Sequence, residues 1–153
     1  MTALSDRLRE LGLTLPQAQA PLATYVPARR AGQLLFLSGH VARAGGAVVA
    51  GVVGDDVDTT AAQGLARAIA LDLLASAAAA LGSADAIGGV VRITGYVRSA
   101  PGFDGQPAVI NGASDLFVEL FGERGRHARS AVGVNELPLG AAVEIEAIFE
   151  IDG

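Results

Sequence analysis

The last stretch of the chain, Ala141 to Ile151, alternates with a period of two. Val143, Ile145, Ala147, Phe149 and Ile151 fall on one side, and Glu144, Glu146, Ile148 and Glu150 on the other. Successive strand side chains point to opposite faces, so this segment reads as a strand with one face buried and one carrying carboxylates. Such a strand needs partners in a sheet and a layer to cover its apolar face. That restricts the chain to layered architectures containing a sheet.

Two segments can supply the covering layer. Residues 58 to 81 carry Leu65, Ile69 and Leu73 on one side, joined by Ala66, Ala70 and Leu74, a wide apolar stripe of helical period. Thr60 with Gln63 predicts a capping box at its start, and Gly82 suits the position just past its end. Residues 108 to 122 place Ile110, Ser114, Phe117, Val118 and Phe121 at helical spacing. The remaining β-rich runs are Tyr25 to Ala31, Gln33 to Val41, Ala47 to Val53, Val90 to Arg98 and Ala128 to Glu136. Gly45-Gly46 predicts a hairpin turn, Pro101 to Pro107 a loop, and Leu137 to Gly140 the link between the last two strands. Near the start, Leu4, Leu8 and Leu11 with Gly12 predict a short helix capped by Ser5 or Thr2. Residues 13 to 23 read as an extended connector.

The resulting order, βββαβαββ after a helical extension, predicts an α+β layer: a mixed sheet with two helices packed on one face. The expected division is an extension and connector over residues 1–19 and one domain over 20–153. The uncovered face, to which Ala131, Gly133 and Ile148 are assigned, is too apolar for open water. It predicts an oligomer whose sheets face inward.

Composition narrows the functions. A chain of 153 residues is one domain of ordinary size. Cysteine is absent, which excludes disulfides, thiolate metal sites and cysteine nucleophiles. The net charge of −5 and scattered basic residues argue against a nucleic-acid partner. His40 and His127 have no carboxylate or cysteine partner at metal spacing, so no metal is expected. No glycine run is followed by Gly-Lys-Ser/Thr, and no Gly-x-Ser-x-Gly elbow is present. The N-terminal residues lack a basic flank followed by an apolar run, and Asp72 interrupts the Ala-rich segment. The expectation is a cytoplasmic protein with no membrane partner.

The residues that carry chemistry lie in the last third. Arg129 opens an apolar strand, and a guanidinium can grip a carboxylate through two parallel hydrogen bonds. Glu144 lies on the following strand and can hold or activate a water. Glu146 shares its face, so alternation alone does not choose between them. If residues 137 to 140 form a hairpin, Gly133 lies opposite Glu144 and Arg129 is four residues away, roughly 13 Å. One chain then keeps the two groups apart, and a cleft between subunits would join them. Asn111 reads equally as a helix cap or a site amide, Ser38 as a strand-ending turn or a site hydroxyl, and Tyr25 as an edge tyrosine or a pocket wall. His127 reads as a turn residue, or as a group beside Arg129 that tunes the local charge.

These residues stand in motifs that resemble the reactive intermediate deaminase (Rid, or YjgF-like) family. Its closing motif appears as Ala128-Arg129-Ser130-Ala131-Val132, then Leu137-Pro138, then Val143-Glu144-Ile145-Glu146. Phe36-Leu37-Ser38-Gly39-His40 is similar to the family's strand ending in Ser-Gly-Gln, and Val109-Ile110-Asn111 to its Val-Asn. Tyr25 takes the place of the family's site tyrosine. The resemblance covers roughly residues 20 to 151. It implies a chorismate-mutase-like fold, a homotrimer with clefts between subunits, and hydrolysis of 2-imino acids to 2-keto acids and ammonia without a cofactor. It assigns Arg129 as substrate anchor, Glu144 to the water, and Tyr25, Ser38, Gly39 and Asn111 to the pocket. Ala131 replaces a frequent cysteine, His40 a common glutamine, and His127 a usual Pro or Ala. These departures leave a second reading: a non-catalytic trimer that binds or senses a small carboxylate such as a keto acid.

Overall fold

The computed structural model describes residues 2–20 and 23–153. Its elements run α1 (Leu4–Glu10), β1 (Ala28–Ala31), β2 (Leu34–Val41), β3 (Arg43–Ala44), β4 (Ala47–Val48), α2 (Thr59–Leu81), β5 (Ile87–Arg98), α3 (Gln106–Phe121), β6 (Ala128–Val134) and β7 (Val143–Ile151). Five strands form one mixed sheet in the order β1-β2-β7-β5-β6. All neighbours are antiparallel except β5 and β6, which are parallel.

The alternating β7 lies at the middle of the sheet. Val143, Ile145 and Phe149 are completely buried, and Ala147 and Ile151 nearly so. They meet the apolar stripes of α2 and α3, which pack side by side on that face in one continuous core. Phe117 of α3 and Phe149 of β7 contact edge to face, with ring centres 5.7 Å apart. Gly112 gives α3 its close approach to α2, since a Cβ there would run into the backbone of Gln63. Helix α2 is long and apolar enough to cross a membrane by length and composition, but it serves here as the core layer.

Several expectations need correction. The hairpin between the last two strands does not form. Helix α3 connects β5 to β6, and a helical crossover of this kind returns its strand parallel. β6 therefore pairs with β5 at the sheet edge, and β7 pairs with the other side of β5. Ala131 and Gly133 are consequently on the helix face, opposite Gly95 and Val97; of the three residues assigned to the uncovered face, only Ile148 is there. The expected third strand reduces to a small separate ribbon, β3 with β4, turned by Gly45-Gly46 at φ 58° and 81°. Tyr25 precedes β1 rather than belonging to it.

Capping also differs. Asp58, not Thr60, caps α2 by accepting from the Ala61 N–H at 2.7 Å, and Gln63 instead donates to the Ala108 carbonyl. Helix α1 has no side-chain cap. Ser5 lies inside it and binds the Asp85 carboxylate through its N–H and hydroxyl. Leu4 and Leu8 join the core, so the extension is packed rather than free. Part of the expected connector, residues 21 and 22, lies outside the described residues.

Phe149→Ala is expected to cost about 3–5 kcal/mol, because the centre of a two-layer core cannot collapse to fill the space. Urea unfolding checks this; a loss below 1 kcal/mol would contradict it.

Candidate functional site

The sheet topology decides where the two charged groups go. Ile93 of β5 lies beside Arg129 on β6 and beside Ala147 on β7, while Tyr96 lies beside Glu144. Residues level with one another in neighbouring strands share a face. Arg129 is therefore on the helix face at the sheet edge, and Glu144 on the open face. They are also three residues apart along β5 and two strands apart across it, roughly 14 Å at the backbone. One chain holds two half-sites.

The first half-site is built on β6 and α3. Arg129 donates from Nη1 to Asn111 Oδ1 at 2.8 Å and to Ser114 Oγ at 3.1 Å, and from Nη2 to the Pro107 carbonyl at 3.2 Å. A guanidinium has five N–H groups. Among the described residues these three bonds leave Nε–H and one Nη2–H without an acceptor. Two spare donors on one guanidinium suit the two oxygens of a carboxylate. Asn111 lies inside α3 and so is not its cap; its side-chain carbonyl accepts from Arg129 and holds the guanidinium. Ser114, read from sequence as a helix-stripe position, performs the same service. The signal was its i,i+3 spacing from Asn111, which puts both on one face of α3.

The second half-site is a cleft of about 110 Å³ lined by Tyr25, Ser38, Gly39, His40, Arg43, Pro138, Leu139 and Glu144, among others. The β2–β7 register slips between Leu37 and His40, so Ser38 and Gly39 form an irregularity at the cleft. A Cβ on Gly39 would stand 2.5 Å from Glu144 Oε2, so only glycine lets this carboxylate sit against β2. The Ser38 hydroxyl donates to the Val26 carbonyl at 2.7 Å, and the Ser38 N–H to that of Pro27. Ser38 therefore fastens the segment next to Tyr25, whose side chain is half exposed at the cleft. Leu139, 72% exposed and at φ 58°, stands at its rim.

Glu144 is half-buried and, among the described residues, has no hydrogen-bond partner. Burial, with the Glu146 charge adding to it, raises its pKa above the ordinary 4.5. Glu146 differs: it accepts from the Tyr96 hydroxyl at 2.7 Å, and that bond leads the causes that push the phenol up to about 12. The structure thus separates two carboxylates that alternation could not. One is tied up, and one is open to the cleft.

His40 is buried, with Nδ1 2.7 Å from the Ser38 carbonyl and Nε2 2.7 Å from Ser76 Oγ. A carbonyl only accepts, so Nδ1 carries the proton and Nε2 accepts from the serine. Both nitrogens are occupied, and the ring braces the cleft wall against α2. Ser76 had no sequence signal beyond a polar residue in an apolar helix.

Residues 16–151 match the model of the Endoribonuclease L-PSP family. The chain belongs to that family, which includes the YjgF and RidA proteins. It is 44% identical to Protein TCP17 of Trypanosoma cruzi over 151 residues, covering 97% of this chain and 94% of that one. The crystal structure of Atu1372 from Agrobacterium tumefaciens is 48% identical, with a TM-score of 0.88 over 97% of this chain and 92% of the other. A Shewanella oneidensis protein crystallised as a candidate endoribonuclease is 28% identical, with a TM-score of 0.92 over 98% and 100%. For this L-PSP chain the α+β fold and the mixed sheet therefore agree with the solved YjgF-like structures.

Burial, first among the causes, lowers the pKa of both His40 and His127 in the folded protein, which favours the neutral rings. An unfolded histidine titrates near pH 6.5. Below about that pH the unfolded chain binds more protons, so stability falls as pH falls. The melting temperature is expected to drop between pH 7.5 and 5.5, and His40→Gln to make the drop shallower. An equal drop in the variant would contradict the assignment for His40.

Proposed function

We propose that the chain hydrolyses reactive 2-imino acids to 2-keto acids and ammonia, in a homotrimer whose clefts join Arg129 of one copy to the Glu144 cleft of the next. The observation that supports this most is the division of the site: a fork with two donors to spare on one face, and an unpaired carboxylate in a cleft on the other. Each half lacks what the other holds. The open sheet face favours self-association, since Phe36, Val91 and Val132 are each more than 40% exposed.

The substrate carboxylate takes the spare Nε–H and Nη2–H donors of Arg129, which orients the imine carbon in the cleft. Glu144 accepts a proton from water as the water oxygen bonds to that carbon. The electron pair of the breaking C=N π bond goes to nitrogen, which takes the proton held by Glu144, giving a neutral carbinolamine. Glu144, a carboxylate again, then takes the proton of the carbinolamine hydroxyl and returns it to nitrogen as the C–N bond breaks and the C=O bond of the keto acid forms. Ammonia leaves. Tyr25 and the Ser38-Gly39 irregularity wall the pocket. The reaction needs water, an anchor and a proton carrier, and no cofactor is invoked.

A second reading is a trimeric binding protein that senses the same carboxylate. Ala131 favours it: this residue lies two positions from Arg129 on the same face of β6, where a thiol frequent among relatives is missing. The family's descriptive name belongs to ribonucleases. The net charge of −5 and the absence of a basic groove among the cavities described weigh against that activity here.

With imines generated by an amino-acid oxidase, the parent is expected to release keto acid and ammonia. Arg129→Ala is expected to lower kcat/KM about 100-fold or more, and Glu144→Gln roughly 100- to 10,000-fold. A base must be deprotonated, so the rate should fall with acidification through a pH above 4.5, the ordinary value for the side chain. Unchanged activity in Arg129→Ala would overturn the anchor role. Saturable keto-acid binding with no turnover would select the sensor.

A further inference from the structure

The Arg129 half-site contains a hydrogen-bond chain that the proposed chemistry does not use. His127 Nδ1 lies 2.7 Å from the Gly125 carbonyl, and Nε2 lies 2.8 Å from Ser114 Oγ. Ser114 Oγ in turn lies 3.1 Å from Arg129 Nη1. The directions are fixed from both ends. The carbonyl can only accept, so Nδ1 carries the ring proton and Nε2 is an acceptor. The guanidinium can only donate, so the serine hydroxyl accepts from it and gives its own hydrogen to Nε2. The imidazole is held in place by the Phe117 ring, edge to face at 6.0 Å.

We propose that His127 is a positioning residue that fixes the orientation of Arg129 through the Ser114 hydroxyl, keeping the spare donors of the guanidinium ready for a carboxylate. The functional consequence rests on Arg129 being the substrate anchor, as argued above. His127 itself need not touch substrate. Asn111 and the Pro107 carbonyl hold the guanidinium from the start of α3, and the His127–Ser114 pair holds it from further along that helix.

The arrangement depends on a neutral ring. When His127 gains a proton, Nε2–H becomes a donor. Ser114 Oγ must then accept from two cations, and the imidazolium stands one hydroxyl away from the guanidinium. Among the described residues, the groups around the ring offer no compensating anion. α3 presents Ser114 and Phe117, the turn Gly122–Gly125 presents a carbonyl, and β6 presents Arg129. In the same turn, Glu123 is engaged by Arg126, while Arg124 pairs with Glu150 and Asp152. Burial and the Arg129 charge both disfavour the protonated form. Because burial holds the ring below the ordinary histidine range near pH 6.5, capture of a carboxylate should weaken only on acidification to below that range.

The test uses the full chain as parent, His127→Gln, His127→Phe and Ser114→Ala. Two quantities are read: the Arg129 Nε–H NMR signal, and the affinity for 2-oxobutyrate by calorimetry from pH 5.5 to 8. In His127→Phe the ring packing is kept and the acceptor lost. Affinity at pH 7.5 should fall about fivefold, the worth of one hydrogen bond, and the Arg129 signal should broaden. Ser114→Ala should behave the same way and serves if the phenylalanine variant does not fold. His127→Gln presents a non-titrating oxygen to Ser114; it should restore the signal and most of the affinity, and flatten the acid weakening. An Arg129 signal and pH profile unchanged in both His127→Phe and Ser114→Ala would overturn the proposal. If the parent binds no keto acid yet the Arg129 signal still depends on His127, the positioning role stands and the anchor reading falls.

Discussion

The parallel pairing of β5 with β6 is the constraint on which the rest of the molecule depends. Helix α3 enters the chain between these strands, and its crossover carries β6 to the sheet edge alongside β5. β5 is then flanked by β6 on one side and β7 on the other. Arg129 and Glu144, fifteen positions apart in sequence, are placed on opposite faces with a strand between them. A hairpin would have left them on neighbouring strands. The crossover instead makes a chain whose Arg129 and Glu144 face in different directions, so the proposed function requires association between copies to bring them to one substrate.

Each half-site is prepared before any ligand arrives. The guanidinium spends three of its donors on α3 and keeps two free. The carboxylate has no hydrogen-bond partner among the described residues and sits against Gly39 in the β2 irregularity. An unpaired, half-buried carboxylate is unfavourable in the isolated chain, and a pocket that keeps one is organised for a proton or a ligand. His40, which is buried, and His127, which is half-buried, have a common design: each points Nδ1 at the carbonyl two residues earlier and Nε2 at a serine on the helix behind it. They join the sheet side of each half-site to the helical layer.

Much of this was legible in the sequence, and the failures have physical causes. The period-two pattern of Val143 to Ile151 located a half-buried strand correctly because burial on one face leaves a strong alternation. The stripe of Leu65, Ile69 and Leu73 located α2 for the same reason. Pairing was not legible. Nothing in Leu137 to Gly140 says whether that segment turns a hairpin or crosses a sheet, and the choice is made by where α3 packs. The cap of α2 fell to Asp58 because its carboxylate reaches the Ala61 N–H, while Gln63 was drawn to α3. At the site, Arg129, Glu144, Tyr25, Ser38 and Gly39 could be named from motif and residue chemistry. Ser114 carried only its i,i+3 spacing from Asn111 as a signal, and Ser76 could not be named, since its role exists only once His40 of β2 meets the helix. Ala131 and Gly133 were put on the wrong face because the strand they lie on was given the wrong neighbour.

The proposed function requires one working site to be assembled from Arg129 of one copy and Glu144 of another. Subunit complementation tests it most directly. Arg129→Ala and Glu144→Gln chains are unfolded together in equal amounts and refolded, with mass spectrometry establishing that mixed trimers form. Random mixing in a ring pairs an intact arginine with an intact glutamate in roughly a quarter of the clefts, so about that share of parental imine hydrolysis should return. Mixed trimers as inactive as either variant alone would contradict the account.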